Sequence, residues 1–188
     1  MIIRNPKACA VLNTRPAHQA DALTQLLQHH NISVIEFPTI AVALNPHPEA
    51  LQHHLSHLAR FDKVILVSAN AANAVKPYWS TYRGDVFCIG SSTAAATASF
   101  HAETITPNQF SAKGLLEHPK LQRLSTEKIL ILCGTNHNRL LSETLKKRGA
   151  DVTLGFCYSA SVPTTISPAA IRQVTTHTID IIISTTFF

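Results

Sequence analysis

Small hydroxyl, amide or glycine residues follow directly on apolar runs at several places in this sequence. They are Thr14-Arg15-Pro16, Ser68-Ala69-Asn70, Gly90-Ser91-Ser92-Thr93, Gly134-Thr135-Asn136 and Thr185-Thr186. If the apolar runs are parallel strands, these residues share one edge of a sheet, the edge at which open α/β sheets bind ligands. Helices that begin there aim free N–H groups and a positive dipole end the same way. Amides and hydroxyls with no acidic residue among them form a surface for carboxylate or phosphate. Ser, Thr and Asn are also favoured helix N-caps, so capping alone accounts for any single position. Taken together, the edges point to an anion site.

Other chemistries lack their residues. Only six glycines occur, and none falls in GxGxxG or GxxxxGK, so dinucleotide and P-loop phosphate sites are not expected. No GxSxG elbow is present, nor a close carboxylate pair of the glycosidase kind. His53 and His57 in "HHLSHL" have the i, i+4 spacing of metal ligands. They lack an HExxH frame, and Leu51, Leu55 and Leu58 mark the buried face of that helix. A solvated histidine face is expected, and no metal. Cys9, Cys88, Cys133 and Cys157 lie in or beside apolar runs without a CxxC pairing, the pattern of reduced, buried thiols in a cytosolic protein.

The chain has 188 residues, 45% of them hydrophobic and 14% charged, a globular composition with enough length for a large core. No apolar stretch approaches the roughly 18 residues of a membrane helix, and the first residues lack a signal-peptide core. The formal net charge is +5 and the sequence pI about 9.2, which favours acidic partners. The basic residues are scattered. The densest run, Lys146-Lys147-Arg148, closes a predicted helix, where cations complement the dipole. An acidic small molecule fits this distribution, and nucleic acid fits it less well because aromatics are few.

Apolar runs alternating with helical patterns predict βα units and a parallel sheet. The predicted strands are 9–13, 34–37, 63–67, 86–89, 128–133, 152–156 and 179–184. A helix follows Pro16 with Ala20, Leu23, Leu26, Leu27 and His30 on its inner face. Another runs from Arg139 to Arg148 and stops at Gly149. Two proline-bearing stretches, 38–48 and 158–168, read as crossings between compact bodies. Domain one is then discontinuous, 1–40 plus 160–188, around a domain two of 45–157.

In this order, "VLNTRPAHQADALTQLL", "VIEFPTIAV", "FDKVILVSANAANAV", "FCIGSSTAAA", "KILILCGTNHNRLLSETLKKRGADV" and "GFCYSA" resemble the uroporphyrinogen-III synthase family. S-A-N or I-G-x-x-T alone is common, and the ordered set across residues 10–158 carries the likeness. The resemblance implies two flavodoxin-like α/β domains joined by a two-stranded linker. It implies cyclisation of linear hydroxymethylbilane with inversion of the last pyrrole ring and loss of water. No metal or organic cofactor takes part, porphobilinogen deaminase supplies the substrate, and the protein is a monomer without nucleic-acid or membrane partners. Residue by residue, Ser68, Ala69 and Asn70 match the family's loop after the first strand of domain two, and Ser92 and Thr93 its IGxxT loop. Arg139 stands where a basic residue often follows the turn. Thr14 and Arg15 match the opening loop of domain one, where Arg15 can meet a carboxylate. Tyr158 matches the tyrosine implied to assist loss of the hydroxyl. A phenol with a pKa of roughly 10 is protonated at neutral pH and can donate to that leaving group. A strand-end aromatic that simply covers the core is the structural alternative.

The sequence also departs from the family. Members run to about 250 residues, the length of two full α/β domains, whereas this chain stops at Phe188. Ser159 replaces a basic residue that often follows the tyrosine. These departures set up three expectations. Domain one is an incomplete half-sheet with an exposed apolar edge at 179–188, prone to aggregation. Turnover is reduced or lost. The competing reading is a non-catalytic module in which domain two alone grips an anionic ligand.

Overall fold

The computed structural model describes residues 9–44, 47–79, 82–100 and 103–184. The expected strand-end residues Thr185 and Thr186, the end at Phe188 and the first eight residues lie outside the described ones. The chain divides into two compact units. Unit 1 takes the residues up to Val42 and those from Ala160 onward, and unit 2 takes Ala43–Ser159.

Unit 1 contains a three-stranded sheet in the order β2-β1-β9, made of β1 (Ala10–Asn13), β2 (Ser33–Glu36) and β9 (Ile181–Ile183). Both pairings are parallel, with Val11 opposite Val34 on one side and Ile181 on the other. Helix α1 (Ala17–His29) begins after Pro16, and α7 (Pro168–Thr176) precedes β9. The inner face of α1 differs from the predicted one. Ala20 is buried as expected, but Leu26 is 56% exposed and His30 is exposed, while Thr24 is buried. The cause is polar. Asn13 is fully buried and its Nδ2 donates to Thr24 Oγ1 (3.2 Å), whose hydroxyl donates to Glu36 Oε1 (2.5 Å). A buried amide that needs a partner draws a hydroxyl inward, so Thr24 joins an inner side on which Ala20 is buried and Leu23 and Leu27 are half-buried. In β9, Ile181 and Ile182 are 50% and 65% exposed.

Unit 2 is built on a six-stranded sheet in the order β3-β8-β7-β4-β5-β6. Its strands are β3 (Ala41–Leu44), β4 (Lys63–Leu66), β5 (Asp85–Cys88), β6 (Thr104–Ile105), β7 (Lys128–Gly134) and β8 (Asp151–Ser161). The five from β8 to β6 are parallel. The sequence reading did not include β3 and β6. Helices lie on both faces of this sheet. Ile65, Phe87, Ile129, Ile131 and Cys133 form a core with α5 (Ala112–Leu116) and α6 (Leu140–Lys147). On the other face Leu130 and Leu132 crowd Gly155 together with Leu51 of α2 (Pro48–Ser56). Leu51, Leu55 and Leu58 are buried, as their spacing predicted, and the exposed His53 and His57 rings lie 4.8 Å apart.

No helix among the described residues is long and apolar enough to cross a membrane. All four cysteines are free; Cys88, Cys133 and Cys157 are buried and Cys9 is half-buried. Burial pushes the Cys88 thiol up to about 11 and Cys133 up to about 12, and it raises Cys157 as well. Because the thiolate is the reacting species, Ellman's reagent at pH 8 is expected to modify Cys9 alone in the native protein. All four should react in denaturant. Rapid native labelling of Cys133 or Cys157 would contradict the packing described.

Candidate active site at the carboxyl edge of unit 2

Strand order in unit 2 reverses direction between β4 and β7. From β4 the chain winds outward through β5 and β6, then returns to place β7 and β8 on the other side of β4. The crevice beyond the carboxyl ends of two such strands is where open α/β sheets take ligands. Ser68 lies two residues past the end of β4, and Gly134 is the last residue of β7.

Tyr158 joins these two positions. Its strand β8 runs in register with β7 as far as Cys133 opposite Phe156, and then a bulge sets Gly134 opposite Tyr158. The extra residue, Cys157, re-aims the side chain that follows, as bulges beside functional sites often do. The phenol ring packs directly against Gly134. A Cβ there would stand 2.6 Å from Cε2 and 2.8 Å from Cζ, so only glycine admits the ring. Thr135 N–H donates to Tyr158 C=O (2.9 Å), which closes the loop after β7 onto the same strand. Gly134 is among the predicted edge residues, and the signal in the sequence for its role is a scarce glycine ending a long strand.

Ser68 completes the arrangement. Its Oγ donates to Tyr158 Oη (3.2 Å) and accepts from Ala71 N–H (3.1 Å), the capping bond of α3 (Ala69–Val75). One hydroxyl therefore caps a helix and orients a phenol. Tyr158 is 4% exposed. Burial is the main influence on its acidity and raises its pKa, against an opposing hydrogen bond from Ser68. The phenol is therefore a neutral donor throughout the physiological range.

The other predicted residues are distributed as follows. Ala69 and Asn70 form the first turn of α3, Ala69 half-buried and Asn70 buried. Ser92 is exposed and Thr93 buried in α4 (Ser91–Ala96), which packs against α3. Gly90 stands at the N-cap of α4 and has no side chain to close it, so the leading amides of that helix lack a side-chain cap. Arg139 is exposed at the start of α6, where Asn138 Oδ1 accepts from Leu140 N–H (2.9 Å). Thr14 and Arg15 belong to unit 1. Thr14 Oγ1 donates to Ile183 C=O (2.9 Å), tying β1 to β9, and Arg15 Nε is buried without a partner among the described residues. Unit 2 thus brings both Ser68 and Gly134 against Tyr158, with α3 and α4 packed on one another.

The model of the family "Uroporphyrinogen-III synthase HemD" matches residues 21–186 of this chain. The chain belongs to that family. A uroporphyrinogen-III synthase of Proteus mirabilis is 30% identical over 161 residues, covering 79% of either chain. The Escherichia coli K12 enzyme of that name is 28% identical over 158 residues, covering 79% of this chain and 64% of its own. This chain therefore spans just under two thirds of the length of the E. coli relative. Among solved structures, a mutant uroporphyrinogen III synthase of Thermus thermophilus superposes with a TM-score of 0.66 at 16% identity. The match covers 93% of this chain and 71% of that one. At that identity the likeness concerns the fold, and it agrees with the α/β architecture and parallel sheets described above.

Proposed function

We propose that this chain cyclises hydroxymethylbilane to uroporphyrinogen III, inverting the last pyrrole ring and releasing water. The observation that carries the reading is membership of the family over most of the chain, joined to a neutral phenol held at the switch point of the unit 2 sheet. The chemistry asks for little beyond that. An electron-rich pyrrole can expel its own hydroxyl to give an azafulvene cation, and Tyr158 donates a hydrogen bond to the departing oxygen. The protein then holds a flexible polyanion so that the substituted carbon of the last ring is attacked, through a spiro intermediate. Positioning and electrostatics account for most of such a step.

Ser68 orients the phenol in this scheme. The amides and hydroxyls of Ala69, Asn70, Ser92 and Thr93, with the guanidinium of Arg139, receive acetate and propionate arms. In unit 1, Thr14 and Arg15 are by themselves candidate contacts for a carboxylate, for which Arg15 Nε, buried without a partner among the described residues, supplies a donor. Porphobilinogen deaminase is the upstream partner, since its product is the substrate. The four free cysteines accord with a reducing compartment such as the cytosol.

A coupled assay with porphobilinogen deaminase tests the reading. Uroporphyrin III after oxidation is the expected product. Formation of the type I isomer alone, which arises without a cyclising enzyme, would overturn it.

A further inference from the structure

A cavity of about 170 Å³ opens on the α5/α6 side of unit 2, at the same end of the sheet. Val67, Ile89, Ile131 and Cys133 form its floor, and Leu140 and Leu141 of α6 form one wall. Its size is sufficient for one ring, since an apolar cavity of about 150 Å³ accommodates benzene. Two hydroxyls lie beside it: Ser111 Oγ accepts from Gly114 N–H (3.0 Å) as a helix cap, and Ser142 Oγ donates to Arg139 C=O (3.0 Å). Lys113 is exposed at the edge and makes no ion pair among the described residues. His137 Nδ1 is buried in the wall with no hydrogen-bond partner among the described residues, and its ring leans on Phe156 at 5.7 Å. Among the described residues no aspartate or glutamate lines the cavity.

An apolar slot for one ring, with an unpaired ammonium beside it and no acid in the wall, selects a flat anion. We infer that this pocket binds a single planar ring bearing a carboxylate. The ring enters among Ile89, Ile131, Leu140 and Leu141, and the carboxylate meets Lys113. Such a ring can come from a free monocyclic acid or from one unit of a larger polycarboxylate. The pocket stands on its own geometry and does not depend on the cyclisation.

The test uses the full chain and 3-phenylpropionate, with 3-phenyl-1-propanol as the neutral isostere. Titration followed by methyl NMR should give saturable shifts concentrated at Ile89, Ile131, Leu140 and Leu141. The acid should bind about 3-fold more tightly than the alcohol, roughly the strength of one ion pair to an exposed lysine. Lys113→Ala should erase that difference while leaving the alcohol unaffected. Leu140→Trp should block both probes, and it is a mild change for the fold because Leu140 is 45% exposed. Displacement of the probe by uroporphyrinogen III under anaerobic conditions would identify the ring as part of a larger polycarboxylate. Retention of the probe would identify a free monocyclic acid. Absence of saturable shifts at these methyls, or equal affinity for acid and alcohol in the unaltered chain, would overturn the assignment.

Discussion

Tyr158→Phe is expected to cut the rate of type III product formation about 100-fold, at the low end of what a positioned proton donor supplies. The ring stays where it is, because its packing on Gly134 does not involve the hydroxyl. Stability should fall by only about 1 kcal/mol, the net worth of one buried hydrogen bond. Ser68→Ala provides the contrast. It removes a helix cap as well as the bond to the phenol, so stability falls by about 1 kcal/mol from the cap alone. Its rate should fall less than in Tyr158→Phe, since the phenol remains. The sign of the pH dependence follows from burial. The Tyr158 pKa lies above its ordinary value, so the donor form persists past the roughly pH 10 at which a free phenol ionises. Stability drawn from the neutral phenol is present below that pH and is lost as pH rises through the folded-state value. A Tyr158→Phe protein as active as the parent would reduce the tyrosine to a core aromatic.

The second large effect is expected at Gly134. In Gly134→Ala the new methyl would stand 2.6 Å from Cε2 and 2.8 Å from Cζ of Tyr158, too close for both to stay, so the ring must swing away from Ser68. Forcing an extra methyl into a packed site costs about 1–3 kcal/mol, measurable by urea unfolding. Activity should drop to a level near that of Tyr158→Phe, because the donor is displaced although chemically intact. The double variant Gly134→Ala with Tyr158→Phe should be little slower than either single variant, since both changes disable one group. Full additivity of the two losses would show that glycine and tyrosine act separately.

Much of this arrangement was readable from residue order, for identifiable reasons. Runs such as Lys63–Leu66 and Lys128–Gly134 are buried on both faces of a parallel sheet, so they stand out as continuous apolar segments. Ser68 carried the signature of a cap and proved to be one. Strand β3 was hidden because the short run Ala41–Leu44 sits between prolines and is half exposed. Strand β6 contains two residues, too few for any periodicity. On α1 the predicted stripe holds at Ala20, Leu23 and Leu27 but leaves out Thr24, because the buried Asn13 takes Thr24 as its partner, a contact that no hydrophobic stripe encodes. The close approach of Gly134 and Tyr158 depends on a bulge in β8. A bulge shifts register by one residue and leaves no mark in composition.

In the proposed reaction, carboxylates of the tetrapyrrole are received at the carboxyl edge of the unit 2 sheet, beside Tyr158. The most direct test of that placement is an anaerobic titration of the isotopically labelled full chain with uroporphyrinogen III, read at the backbone amides. Saturable shifts at residues 68–70, 90–93 and 134–136, weakened by Arg139→Ala, are the predicted result. Shifts confined to the opposite edge, at Asp62, Asp85 and Lys128, would contradict it.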